Sequence, residues 1–117
     1  MKREAKIKKV KEWMEKNFPT KKEKDFPDIH RKTKRKAVLE KYMWMMETNE
    51  PKAMVIDQWR FLDTNESYIR FGYYILDRKG ERVMWGSQYP LIVMEKDIKT
   101  LFMNAKDEGL LGFENFH

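Results

Sequence analysis

An α+β fold is what this sequence predicts: two N-terminal helices, a three-stranded antiparallel meander, and a C-terminal helix packed on one face of that sheet. Three observations carry the prediction. Apolar residues recur at helical spacing through the first part of the chain. From Met54 the pattern changes to runs rich in aromatic and β-branched residues separated by turn chemistry. A helical stripe returns after Met94. At 117 residues, with 41% hydrophobic and 14% aromatic side chains, the chain has the size and material for one domain around one core, residues 1–117. The 38% of charged residues keep its outside hydrated.

The first element, within residues 1–18, places Ile7, Val10, Trp13, Met14 and Phe18 on one helical face with lysines and glutamates between them, and it ends near Asn17 because Pro19 follows. Residues 19–28 hold breaker and turn residues without an apolar period and are expected to be a connector. The core then spans 29–109. Asp28 caps a second helix whose stripe is Val38, Leu39, Tyr42, Met43 and Met46, ending before Pro51.

Strands are expected over 54–62, 68–77 and 81–88. Gly80 takes the left-handed conformation in a three-residue hairpin that pairs Asp77 with Glu81, which sets Tyr73 opposite Trp85 and Ile75 opposite Val83. Pairing Leu62 with Tyr68 across the other loop sets Trp59 opposite Phe71. One face is then apolar, with Val55, Trp59, Phe61, Ile69, Phe71, Tyr73, Ile75, Val83 and Trp85. The last helix covers it with Met94, Ile98, Leu101, Phe102 and Ala105, and Glu108-Gly109-Leu110 forms its glycine cap. The apolar tail, 110–117, either folds back or contacts another subunit.

The helix–three strands–helix order over 28–109 is similar to the topology of double-stranded-RNA-binding domains, without their glycine-rich stretch and with Glu95-Lys96-Asp97 where they carry a lysine cluster. Three strands followed by a helix is also similar to the sheet-reading DNA-binding domains of some integrases and plant transcription factors. Both resemblances concern architecture and transfer no functional residue.

Charge points to a partner class. Residues 1–36 carry 15 Lys and Arg against 6 Asp and Glu, whereas residues 37–117 carry 10 against 13, within a net charge of +6. A polyanion is the natural partner for the basic third. The densest part is His30-Arg31-Lys32-Thr33-Lys34-Arg35-Lys36, where Arg31, Lys32, Lys34, Arg35 and Lys36 are expected to meet phosphates. By the register above, the second sheet face carries Arg60, Arg70 and Arg82 with Gln58, Tyr68, Tyr74 and Gln88. Arginines beside tyrosines on an open sheet suit phosphate contact and base stacking, so Arg60, Arg70, Tyr74 and Arg82 complete the expected nucleic-acid site.

Catalysis has little material. There is no cysteine, and the two histidines are His30, inside the basic run, and His117. A histidine triad or a multi-histidine metal site therefore cannot be assembled. Asp57 with Asp77-Arg78-Lys79 imitates a nuclease pattern, but the second group falls on a hairpin tip rather than inside a strand beside a metal pocket. Asp57 itself falls on the apolar face, where a carboxylate needs a hydrogen-bond partner. The five glycines take no phosphate-loop spacing, so no cofactor and no metal is expected. The charged start predicts no secretory leader, and no apolar run reaches the ~20 residues of a membrane span. The expectation is a cytoplasmic, non-enzymatic nucleic-acid-binding domain (DNA or RNA). The alternative is a small protein-interaction or inhibitor module, homodimeric or partner-capturing, that uses the methionine and aromatic surface and the C-terminal tail.

Overall fold

The fourteen residues Thr33–Met46, expected to be helical, are the longest strand of a six-stranded antiparallel sheet. The computed structural model describes residues 1–28, 33–87, 90–110 and 112–113. Among them the elements run α1 (Arg3–Asn17), β1 (Glu23–Asp28), β2 (Thr33–Met46), β3 (Lys52–Phe61), β4 (Ser67–Leu76), β5 (Val83–Trp85), β6 (Leu91–Met94) and α2 (Glu95–Asp107). One helix, not two, precedes the sheet, and six strands replace the expected three.

A β-bulge explains why β2 imitates a helix. Pairing with β3 runs Ala37 to Phe61 and Leu39 to Trp59, then slips by one residue at Glu40 before resuming at Lys41 with Gln58. The side chains on one face are therefore Ala37, Leu39, Tyr42, Trp44 and Met46. The expected stripe takes Leu39, Tyr42 and Met46 from this face, where the inserted residue makes the intervals three and four, and Val38 and Met43 from the other, so apolar residues of both faces together imitate helical spacing. β1 lies inside the segment expected to be a connector. It is an edge strand, the one setting in which Pro27, without an N–H, is tolerated.

Strands β1 to β5 lie in chain order, and β6 pairs with β4 beyond the end of β5, Tyr68 with Met94 and Phe71 with Leu91. The β3–β4 register sets Trp59 opposite Tyr68, three residues from the expected pairing. The β4–β5 register sets Tyr74 opposite Trp85, one residue from it. Both slips are odd, so β4 alone is turned over relative to the expectation. Each traces to its loop: the amide of Phe61 donates to Glu66 and that of Asp77 to Arg82, so each loop has a length other than expected. Asn65 and Gly80 take the left-handed conformation that those turns require.

The front of the curled sheet bears two buried clusters. In the first, α1 lays Val10 and Met14, both fully buried, against Ala53, Val55 and Tyr74, with Trp13, Phe18, Trp44 and Trp85 around them. Burying a side chain such as Met14 contributes roughly 1.5–3 kcal/mol. The second joins Phe26, Ala37, Trp59 and Phe61, flanked by Leu39 and Tyr68. The cover is thus α1, not the C-terminal helix. α2 buries none of its residues, although its end is the expected glycine cap: Gly109 has φ 71°, and the amides of Gly109 and Leu110 donate to Lys106 and Ala105. No helix among the described residues is long and apolar enough to cross a membrane.

Candidate functional site

The alternation of β3 sends Ala53, Val55, Asp57, Trp59 and Phe61 to the front, so Asp57 falls between the two apolar clusters. Its partner is set by register: Arg70 stands directly opposite on β4. The guanidinium donates from Nε to Oδ1 at 2.9 Å and from Nη2 to Oδ2 at 2.6 Å, with Asp57 2% and Arg70 6% exposed. The fork-on-carboxylate geometry compensates the desolvation of both charges. Aromatic rings enclose the guanidinium, Trp85 at 4.4 Å, Trp59 at 5.3 Å and Phe26 at 5.7 Å.

Beside this pair a cavity of about 280 Å³ opens between the end of α1, β1 and the front of the sheet, lined by Trp13, Phe18, Lys21, Lys24, Trp59 and Trp85 among others. The Lys24 ammonium is held below the ordinary lysine range, first by burial and then by the neighbouring charges of Arg70 and Lys21, with Asp57 opposing. Trp59 is 3% exposed and its Nε1 has no hydrogen-bond partner.

The back of the sheet is the other candidate. Met43, Met45, Met54 and Ile56 alternate outward from β2 and β3 beside Phe71 and Tyr73 of β4 and Leu91 of β6, and together they line an apolar groove of about 550 Å³. Met43 (56% exposed), Met45 (53%) and Leu91 (56%) are more than half open to solvent. No element among the described residues covers them. The signal for this surface was in the chain: Ala53-Met54-Val55-Ile56 is apolar on both faces of a strand, which requires a cover on each side. Met43, expected on the apolar stripe of a helix, stands on this exposed strand face instead.

The expected nucleic-acid residues do not form one surface. Arg70 and Tyr74 are on the front and buried, Arg70 against Asp57 and Tyr74 under α1 against Trp13. Arg60 is on the opposite face, 3.7 Å from Glu40, and donates to Asn65 at 3.0 Å. Arg82 precedes β5, with its side chain 88% exposed and 3.9 Å from Asp77. The shared Arg60-Arg70-Arg82 face is therefore corrected, because the β4 registers turn Arg70 inward. In the basic run, Lys34 and Lys36 are exposed on β2 rather than at a helix start, and Arg31 and Lys32 lie outside the described residues. Arg35 is taken up by a bidentate pair with Asp63 (2.8 and 2.9 Å) and covers the Phe61 ring at 4.2 Å. That bond raises the already high pKa of Arg35 further. The expected nuclease-like group is also dispersed: Asp57 is closed by Arg70, while Asp77 to Lys79 lie at the β4–β5 turn.

No protein-family model, curated protein or solved structure matches this chain, so geometry alone supports a functional reading.

Proposed function

We propose that this chain is a non-enzymatic protein-interaction module whose working surface is the apolar back of the sheet, with a second copy of the chain as its occupant. The observation that supports this reading is the contiguous exposed set Met43, Met45, Met54, Ile56 and Leu91, on a face that no element among the described residues covers. Monomeric proteins seldom leave such a patch open, and methionine suits a surface that repacks against its partner. Charge favours self-pairing in this orientation. The basic α1 lies on the front, so joining two backs about a two-fold axis keeps the two cationic helices on opposite outer sides.

Sedimentation of the full chain from about 1 to about 100 µM tests it. Reversible dimerisation is expected, abolished by the double substitution Met45→Lys and Met54→Lys with little change in melting temperature. A monomer throughout that range, or a dimer indifferent to the two lysines, overturns the reading. A second reading, contact with a polyanion, is supported by the exposed Lys2, Arg3, Lys8, Lys11 and Lys16 of the α1 region together with Lys34 and Lys36. Titrating the same samples with a DNA duplex at low and moderate salt separates the two: polyanion binding weakens steeply with salt and ignores the back-face lysines, whereas dimerisation through apolar contact does the reverse.

A further inference from the structure

On the front of the sheet, aromatic walls and cations converge at one cavity that the proposed back-face contact does not use. Two of the three guanidinium nitrogens of Arg70, Nε and Nη2, are committed to Asp57, and Nη1 has no hydrogen-bond partner among the described residues. Lys24 and Lys21 line the same cavity. One carboxylate, Asp57, therefore faces three cations, leaving the site electropositive. Trp13, Phe18, Trp59 and Trp85 supply flat apolar walls, and about 280 Å³ suits a single ring bearing one acidic group.

We propose that this cavity binds a small aromatic anion, a planar ring carrying a carboxylate or a phosphate, with its anionic oxygens held by Lys24 and Arg70 and its ring against Trp59 and Trp85. The two parts of the site select different parts of the ligand. The cations need the acid group, and the tryptophans need the ring. Asp57 keeps Arg70 fixed and fills two of its nitrogens, which limits the site to a ligand with one anionic group rather than a polyphosphate. The depressed Lys24 ammonium is consistent with this geometry: burial lowers it first, the charges of Arg70 and Lys21 lower it further against Asp57, and a bound anion would act in the direction of Asp57.

The test uses the full chain with ¹⁵N-labelled tryptophan, so that each indole N–H reports separately. Benzoate and phenyl phosphate are titrated, with inorganic phosphate and benzyl alcohol as the ring-free and charge-free probes. At least one aromatic anion is expected to shift the Trp59 and Trp85 signals with a Kd below about 1 mM, while Trp44, which does not line the cavity, stays still. Lys24→Gln, on the edge strand, should weaken binding about tenfold, the cost of one charge-assisted contact. Should that variant melt early, Lys21→Gln on the preceding loop replaces it, with a smaller loss of the same sign. The proposal fails if no probe moves Trp59 by about 10 mM. It fails equally if benzyl alcohol matches benzoate, if inorganic phosphate matches phenyl phosphate, or if neither lysine substitution weakens binding.

Discussion

The two faces of the sheet are built from the same strands and are finished in opposite ways. On the front every apolar residue of β3 is under cover and the one carboxylate has a bidentate partner; on the back, Met43, Met45, Met54 and Ile56 are as apolar as the front and remain open. The difference lies in how many helices are available. α1 is spent on the front, and α2, with no fully buried residue, leaves the methionines of the back exposed. A sheet apolar on both sides with one covering helix is half a structure in the sense of layered packing, and the second copy proposed above would supply the missing layer.

The largest expected effect that separates the faces is at the centre of the front. Arg70→Ala leaves the Asp57 carboxylate buried and unpaired, and a loss of about 3–5 kcal/mol in chemical denaturation is expected. The double variant Asp57→Leu with Arg70→Met should recover most of that loss, because two apolar groups of similar size need no partner there. If Arg70→Ala is as stable as the parent, the front is looser than its burial indicates and the contrast between the faces collapses.

A smaller effect compares two glycines directly. A Cβ at Gly72, on the front, would overlap the Trp85 indole, whereas a Cβ at Gly86, on the back, would overlap the Tyr73 ring. Trp85 borders the front cavity but is held by Arg70 at 4.4 Å and by Tyr74 at 5.1 Å between ring centres, so moving it disturbs the buried pair and the packed rings. Tyr73 borders the open groove and can turn into it. Gly72→Ala should therefore cost about 1–3 kcal/mol and Gly86→Ala distinctly less in the same denaturation assay. Equal losses would mean that the back is as rigid as the front, and would count against an adaptable binding surface there.

What could be read from the chain followed the same division. α1, with its stripe Val10, Trp13 and Met14, was legible because a helix with one buried face writes a period of its own. So were the cap at Gly109 and the existence of β3, β4 and β5. The identity of β2 was not legible, since the bulge at Glu40 converts a two-residue period into an apparent helical one. β1 is short and carries a proline, and β6 is a four-residue run that merges into α2 without a break, so neither has a period long enough to read. The register errors were costlier for function than the missing strands. Slips of three residues at one loop and one at the other moved Arg70 and Tyr74 from the expected reading surface into the core and hid the Asp57–Arg70 pair, even though the need of Asp57 for a partner was evident from the sequence.

The smallest effect concerns the turn that helps to hold the front's cover in place. The Asp77 carboxylate accepts the Glu81 amide at 2.9 Å, and Lys9 of α1 donates to the Gly80 carbonyl of the same turn at 2.9 Å. The amide of Glu81, followed by Arg82, holds the Asp77 carboxyl below its usual range. A carboxylate with a folded pKa below its unfolded one contributes stability above the unfolded value, and the contribution fades as pH falls through the folded value. Asp77→Ala should therefore lower the melting temperature slightly at pH 7, and the gap from the parent should close as pH is taken below about 4. Lys9→Met should lower it at both pH values, because the acceptor of that bond is a backbone carbonyl, which does not titrate. If the Asp77→Ala gap instead persists in acid, the turn is held by its backbone alone, and the tie between α1 and the β4–β5 turn does not pass through this carboxylate.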